Sequence, residues 1–379
     1  MKEILIILLI ILQTTHAMCY TVINPSPFYE GDFYLENGEV VRNSKYKMMR
    51  GEIDHDNDTI INGIIYNVYE NYAIAHQLWN ENASNIRILS TFDKGGQTIN
   101  VIYVLFKTFV NNTKIKKVTI GDASKRLKYR NVDRGFDIHD STFTDCQNLK
   151  EIHLGNDVKY IGYMSFHNAA IKKLHITQNV KAIYDYAFAD CKRLKRVTFD
   201  DSSSCAINGE AFRNTRIKKI HIPANIKWIH PLAFDGSKLK KIDIDRRNNL
   251  LCSYNNMLLS KNKILITVID KNTAKLTLPD SLECIDRFSL YNCINIKEIL
   301  IPNSVQKINE YAFANCRKLE KIVIPQSVYK IGKGAFYGCD NLEYAFIQDN
   351  PKYINVDKEA VPPKTKVIYL PINCFFERF

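Results

Sequence analysis

Ile183-Tyr184-Asp185-Tyr186-Ala187-Phe188-Ala189-Asp190-Cys191-Lys192-Arg193-Leu194-Lys195-Arg196-Val197-Thr198-Phe199 and Ile308-Asn309-Glu310-Tyr311-Ala312-Phe313-Ala314-Asn315-Cys316-Arg317-Lys318-Leu319-Glu320-Lys321-Ile322-Val323-Ile324 are two copies of one unit. Each opens on Ile and reaches Ala-Phe five residues later. A polar turn with Cys follows, and the unit closes on Leu-x-x-apolar-x-apolar. The aromatic anchor falls at Phe109, Phe143, Phe166, Phe188, Phe212 and Phe234, then at Leu290, Phe313 and Phe336. From Phe143 to Phe234 the steps are 23, 22, 24 and 22, and from Leu290 they are 23 and 23. A period near 23 is the signature of a stacked-repeat array. It replaces the two or three domains that 379 residues would otherwise suggest.

The physics of one unit follows from its alternation. In Leu194-Lys195-Arg196-Val197-Thr198-Phe199, the residues Leu194, Val197 and Phe199 face one side, and Lys195, Arg196 and Thr198 the other. Several such strands exit at Pro (Pro223, Pro302, Pro325), which cannot continue a ladder. The Ile-x-x-x-Ala-Phe stretch suits a short helical turn that buries both apolar groups. No unit buries its apolar face alone, so stacking must build a continuous core with a parallel sheet along one face.

These residues resemble a known family. The pattern Ile-Gly-x-x-Ala-Phe…Cys…Leu-x-x-Ile-x-Ile-Pro, clearest at Ile331-Gly332-Lys333-Gly334-Ala335-Phe336…Cys339…Leu342, is similar to the BspA-like class of leucine-rich repeats. The likeness is strong from about Phe136 to Phe346 and weaker upstream, at Ile61 to Tyr66 and Ile115 to Ile120. Residues 249 to 282 break the period, and Tyr254 to Leu259 resembles the irregular coil such proteins insert. The resemblance implies an α/β repeat solenoid, curved and right-handed, with a concave parallel sheet and short helical turns on the convex side. It also implies a surface or secreted binding role, often adhesion to host or matrix proteins. The resulting division is 1–17 signal peptide, 18–60 N-terminal cap, 61–135 degenerate leading repeats and 136–248 regular repeats. It continues with 249–284 irregular repeat, 285–350 regular repeats and 351–379 C-terminal cap.

Composition is that of a globular protein. Hydrophobic residues make up 46% and charged residues 24%, which excludes a disordered chain or a coiled coil. Fifteen Gly and 11 Pro exclude collagen. Lys and Arg outnumber Asp and Glu by 52 to 40, a balance of +12 that favours anionic partners.

The N-terminus reads as an address. A polar start at Met1 to Glu3, nine aliphatic residues from Ile4 to Leu12, and Thr15 and Ala17 at the small-residue positions have the layout of a secretory signal peptide. Nine residues span about 14 Å as a helix, far short of a bilayer core. Three sequons agree with that route, with acceptors Asn57, Asn82 and Asn111. Secretion, or surface retention by association, is the expectation. No transmembrane segment is expected.

Cys146, Cys191, Cys293, Cys316 and Cys339 share one column, three residues past the anchor. Ala169, Thr215 and Ser237 fill it elsewhere. Such a column wants a small, partly polar group at a turn, so free buried thiols are expected. Neighbouring coils about 4.8 Å apart would bring Cys316 and Cys339 within range of a bridge, but parallel side chains disfavour it. Cys19, Cys205, Cys252 and Cys374 lie off the column, and the sequence does not pair them.

The outward positions carry the charge. Two precede each strand's core: Lys116-Lys117, Lys150-Glu151, Lys172-Lys173, Lys195-Arg196, Lys218-Lys219, Lys240-Lys241, Lys297-Glu298, Glu320-Lys321 and Glu343-Tyr344. The next outward residue runs Thr119, His153, His175, Thr198, His221, Asp243, then Leu300, Val323 and Phe346. The face is therefore expected to be basic in its middle and apolar at its C-terminal end. It is the candidate surface for an acidic protein or a sulfated glycan. His153, His175 and His221 share that face without a carboxylate or Cys at ligand spacing, so surface histidines are expected rather than a metal site.

Asp54-His55-Asp56-Asn57-Asp58 resembles the start of a calcium loop but lacks its Gly and closing Glu, and reads as a solvated acidic loop. No Gly-x-Ser-x-Gly, His-Glu-x-x-His, Walker loop or dinucleotide glycine pattern is present. A non-enzymatic, cofactor-free binding protein with an extracellular protein or anionic glycan as partner is the leading reading, with nucleic acid disfavoured. Two alternatives stay open: an intracellular interaction scaffold, and an enzyme whose site lies in residues 18 to 110.

Overall fold

The computed structural model describes residues 55–69, 72–121, 136–348 and 352–370, together with the backbone of two short strands. Those two, Phe33–Tyr34 and Val40–Val41, pair antiparallel in a unit of their own, residues 1–53. The signal-peptide stretch, Asp54, Cys19, Cys374 and the last nine residues lie outside the described residues. Everything below concerns the unit 54–379.

Most periods supply two short strands, which pair in parallel with a counterpart in a neighbouring coil, in short runs along the first ladder and more continuously along the second. The first ladder holds the Leu-x-x-Ile-x-Ile segments. Lys173–Ile176 pairs with Arg196–Phe199, and Lys219–Ile222 with Lys241–Ile244. The second holds the Ile that opens each unit: Val158–Ile161, Ala182–Ile183 and Ala206–Ile207 run side by side. Beyond the interruption both ladders resume and continue through Asn355–Val356 and Lys366–Tyr369. Before the regular coils, residues 58–78 form an antiparallel run of three strands, Asp58–Ile61, Ile64–Val68 and Tyr72–Leu78. Parallel pairing begins where Tyr72–Leu78 meets Gln97–Val104.

The turns are not helical. The only helix among the described residues is a 3-10 turn, His55–Asn57. The helical turns expected on the far side are instead tandem tight turns, and the direction of the amides explains it. Tyr186, Phe188 and Asp190 donate their N–H groups to Gly209, Ala211 and Arg213 of the next coil, at 3.1, 2.9 and 2.8 Å. Those amides point along the solenoid axis and are lost to an intrahelical i→i−4 bond. Ala187 and Ala189, between them, close i→i−3 turns onto Tyr184 and Tyr186. The alternation requires left-handed backbone two residues before and two after the anchor, as at Tyr186 and Asp190 (φ 58° and 58°) and at Tyr311 and Asn315 (φ 55° and 62°). The position after the anchor accordingly carries Asn, Asp or Gly throughout, the residues that tolerate φ > 0.

Stacking follows from that ladder. Phe143, Phe166, Phe188 and Phe212 are fully buried. Successive rings lie 5.1, 5.2 and 5.6 Å apart and within 5° of parallel. Such pairs add about 0.5–1.5 kcal/mol each beyond the area they bury. The described cysteines are free. In the column, the Sγ of Cys146, Cys191, Cys316 and Cys339 donates to the carbonyl of the preceding coil's anchor, at 3.0, 3.1, 3.3 and 3.1 Å. Burial pushes the thiols of Cys146, Cys191 and Cys293 up to about 12. Past the anchor, Asn168 donates to Asp145, Asn214 to Asp190 and Asn315 to Asn292, an amide ladder down the turn edge.

The interruption is a leading strand followed by a hairpin, Met257–Ser260 and Ile264–Val268, whose two strands are buried on both faces. Leu251–Tyr254, Met257–Ser260 and Ile264–Val268 pair antiparallel. Leu258 and Ile266 belong to the core of the preceding coils. Met257, Leu259, Leu265 and Val268 belong to the core of the following ones. Val268 donates its N–H to Ser289 at 2.9 Å, the bond an anchor makes elsewhere, so the hairpin re-enters the period. Asp235 clamps the junction by accepting from Lys271 at 2.6 Å and Asn292 at 3.2 Å.

Two outcomes follow from the turn geometry. At Gly338 the backbone is left-handed (φ 68°), and an added Cβ would meet Asn315 Oδ1 at 2.2 Å. Gly338→Ala should lower unfolding stability by about 1 kcal/mol or somewhat more, chiefly through φ. Gly338→Asn should cost less, because Asn accepts that φ and its amide can extend the ladder to Asn315; urea unfolding of both variants gives the order. At pH 8, a thiol reagent applied to the native protein should leave Cys146, Cys191 and Cys293 unmodified for as long as the fold persists, and label all three on denaturation.

Candidate binding face

Burial alternates along each strand of the first ladder. Leu174 and Ile176, and Ile220 and Ile222, point into the core, which turns Lys173 and His175, and Lys219 and His221, to solvent. Lys173 stands directly opposite Arg196, and Lys219 opposite Lys241. Lys172, Lys195, Lys218 and Lys240 form a second row just before the strands. Coil-to-coil hydrogen bonding already links that row, with Lys195 N–H donating to Lys172 at 3.0 Å and Lys240 to Lys218 at 2.9 Å. Lys116 and Lys117 extend the two rows by way of Lys150 and Glu151, since Lys117–Ile120 pairs with Glu151–Leu154. The ten cations picked out from the sequence are thus gathered on one face, and all but the half-buried Lys117 are exposed.

The pairing of these charges is uneven. Lys117 has Glu151 at 3.7 Å. The other nine have no acidic side chain within salt-bridge distance among the described residues. Beyond the hairpin the same rows mix cations with acids and aromatics: Lys275 lies 3.3 Å from Glu298 Oε2, Glu320 and Glu343 stand where lysines stand earlier, and Lys366 sits over the Tyr344 ring at 5.7 Å. Two further carboxylates on the basic half of the face, Asp200 and Asp243, are engaged by histidines. His175 reaches Asp200 at 2.9 Å and Thr198 at 3.0 Å, and His221 reaches Asp243 at 2.8 Å. His153, His175 and His221 lie along one row of the sheet, as their register requires. No group of three His, Cys, Asp or Glu among the described residues could hold a metal ion.

The apolar end is longer than the sequence suggested. Leu300 and Val323 are 56% and 38% exposed. Val323 pairs with Phe346, and Phe346 with Ile368. Phe346 stacks on Tyr344, ring centroids 5.8 Å apart. Ile368 was not singled out because the anchor Phe and its Cys are missing from the last coil, although Lys366-Val367-Ile368-Tyr369 keeps the alternation. The sequon acceptors Asn57, Asn82 and Asn111 are all exposed. Asp58, expected in a solvated acidic loop, instead opens a strand, with its Oδ1 2.9 Å from His76 Nε2 and accepting from Asn67 at 3.1 Å. That knot ties together the three antiparallel strands, inside the region considered for an active site.

Residues 107–241 and 269–358 match the BspA type leucine rich repeat region, in six copies, and the unmatched gap between them contains the hairpin. The chain belongs to this family. Among solved structures, the pneumococcal vaccine antigen PcpA is similar at 19% identity and a TM-score of 0.63, over 83% of this chain and 87% of that one. A leucine rich cell surface protein from Faecalibacterium prausnitzii A2-165 is similar at 20% identity and a TM-score of 0.51, over 82% and 94%. At those identities the likeness is one of fold. No curated protein matches the chain.

Uncompensated like charges directly across a strand pair destabilise it. Lys219→Glu, placed opposite Lys241, should therefore raise the urea midpoint slightly at low salt. The gain should vanish in 0.5 M NaCl, where the Debye length shrinks to about 4 Å. Unfolding curves at the two salt concentrations check both parts.

Proposed function

We propose that this BspA type repeat protein works outside the cell, or at its surface by association, as a binding protein. Its lysine-bearing face takes an anionic extracellular protein or glycan, in adhesion or matrix interaction. One observation carries the reading: nine cations stand exposed on this face with no acidic side chain within salt-bridge distance among the described residues, whereas beyond the hairpin the same rows carry Glu298, Glu320 and Glu343 beside their lysines. Charge spread for solubility alone has no reason to be purely cationic in one half of the rows and mixed with acids in the other. The apolar row of exposed Leu300 and Val323 and half-buried Phe346 and Ile368 supplies a second contact, of a kind suited to protein.

The address supports the same reading. The signal-like N-terminus and the three exposed sequons fit secretion and glycosylation at Asn57, Asn82 and Asn111. No helix among the described residues is long and apolar enough to cross a membrane. Neither an intracellular scaffold nor an N-terminal enzyme is favoured by the family or by the solenoid architecture.

The test is adsorption of the full chain to immobilised extracellular matrix at physiological salt. The variant Lys195→Glu, Arg196→Glu, Lys218→Glu, Lys219→Glu should lose binding by about tenfold or more. Undiminished binding by that variant would remove the face from the function. Protein recovered from the medium should begin at Met18, and sugar-free protein confined to cells and starting at Met1 would count against the extracellular assignment.

A further inference from the structure

Resting on the anion-binding reading above, we infer that the basic half of the face is a track for a linear, densely sulfated polysaccharide lying along the solenoid axis, rather than a docking site for an acidic protein.

Spacing comes first. Lys173 and Arg196 stand opposite each other on one strand pair and Lys219 and Lys241 on the next, and Arg216 N–H donating to Leu194 at 2.9 Å joins the two pairs coil to coil. At about 4.8 Å per strand they form a line of charge about 14 Å long. Lys172, Lys195, Lys218 and Lys240 run beside it. Neighbouring charges in both lines are closer than the Debye length of about 8 Å at physiological salt, so their potentials add. The complementary ligand carries negative charge repeated along one direction at similar density. A sulfated polysaccharide has that by covalent structure, and its sulfates stay ionised at any pH the fold tolerates. A folded acidic protein would have to hold carboxylates at that spacing against their own repulsion.

Width is the second argument. Carboxylates flank the track on the strand-exit side: Asp243 in the middle row, and Asp200 and Asp201 just past the strand end. A protein partner of ordinary size covers about 800 Å² of its target. Centred on the lysine rows, such a footprint would spread over these acids and meet like charge. A single polysaccharide chain is narrow enough to lie on the cations and leave the acids outside.

The third argument is the lack of an anchor. Protein interfaces take most of their energy from a few desolvated aromatic or Arg side chains seated in pockets. The row between the lysines and the acids is Thr119, His153, His175, Thr198, His221 and Asp243, all polar. Outward aromatics on this ladder, Tyr344 and Phe346, lie beyond the hairpin. A polyanion needs no such anchor, because released counterions and hydrogen bonds to wet cations supply its affinity.

The experiment is isothermal titration of the full chain with heparin tetra-, octa- and dodecasaccharides, a poly-glutamate peptide of matched charge, and a single-stranded oligonucleotide. Heparin affinity should rise with length and level off once the track is spanned, and its logarithm should fall linearly with the logarithm of salt concentration. Lys173→Glu, Arg196→Glu, Lys219→Glu, Lys241→Glu together should weaken the dodecasaccharide about 100-fold or more. Four reversals elsewhere, at the exposed Lys181, Lys227, Lys330 and Lys358, should change it less than about threefold. Circular dichroism of both variants guards against unfolding. If poly-glutamate or the oligonucleotide binds as tightly as the dodecasaccharide, the polysaccharide assignment is wrong while anion binding stands. If no polyanion binds, or if the two variants weaken binding equally, the anion-binding reading of this face falls as well.

Discussion

The axial hydrogen bonds at the turns fix everything else. In each regular coil the anchor amide donates to the carbonyl just before the next anchor, as Phe166 does to Ala187 and Phe313 to Ala335, at 2.8 and 2.7 Å. These bonds set the rise from coil to coil at a turn, where the side chains alone would leave it loose. Once the rise is fixed, identical residues must stack. Phenylalanine lies on phenylalanine, the thiols of Cys146, Cys191, Cys316 and Cys339 reach the carbonyl of the anchor beneath them, and asparagine amides hand on to the next. The stacked polar groups need no disulfide and no metal to hold register. The anchor amides find their acceptors one coil away, and the amides between them close tight turns within the coil.

The same rule places the lysines. A stack of like charges is unfavourable in isolation and persists because neighbouring coils are joined by backbone bonds and a shared apolar core. Stability in such an array is close to a sum of coil and interface terms, so repulsion on one face is carried locally by the coils that bear it. The hairpin marks where that repulsion ends. Its strands are apolar on both sides, with Leu258 and Ile266 serving the preceding core and Leu259 and Leu265 the following one. On one side of it the face is basic; on the other its rows mix acids with lysines and its middle row is apolar, at Leu300, Val323 and Phe346.

Much of this was legible in the sequence, and the rest was hidden for identifiable reasons. The 23-residue step from Phe143 to Phe166 was enough to give the stacked array, and alternation about Val197 and Ile220 was enough to turn Arg196 and Lys219 outward. The helical turns were misjudged because Ile-x-x-x-Ala-Phe has an apolar spacing that a helix would also bury. What decides against helix is the left-handed pair around each anchor, and its signal was present as Asn111, Asp145, Asn168, Asp190, Asn214 and Asn315 in one column. The contacts of Asp235 with Lys271 and Asn292 span 36 and 57 residues across an irregular segment, and no periodicity reports on such a pair.

Charge compensation was the part of the candidate face least open to sequence reasoning. Lys240-Lys241 and Glu320-Lys321 differ visibly, but Lys195-Arg196 is followed by Asp200 and Asp201, which could have neutralised it. In the structure Asp200 instead takes His175 at 2.9 Å and the Gln178 amide at 2.9 Å. Strand direction explains the choice. The cations enter at one end of a four-residue strand and the aspartates leave at the other, so about 10 Å of rigid backbone separates them. Histidine at the middle position is within reach of those carboxylates, and it spends their charge there. The bare cationic rows thus follow from where the acids fall: at Arg196–Phe199 and Lys241–Ile244 the cation opens the strand, and Asp200, Asp243 and Asp245 lie at its middle or past its end.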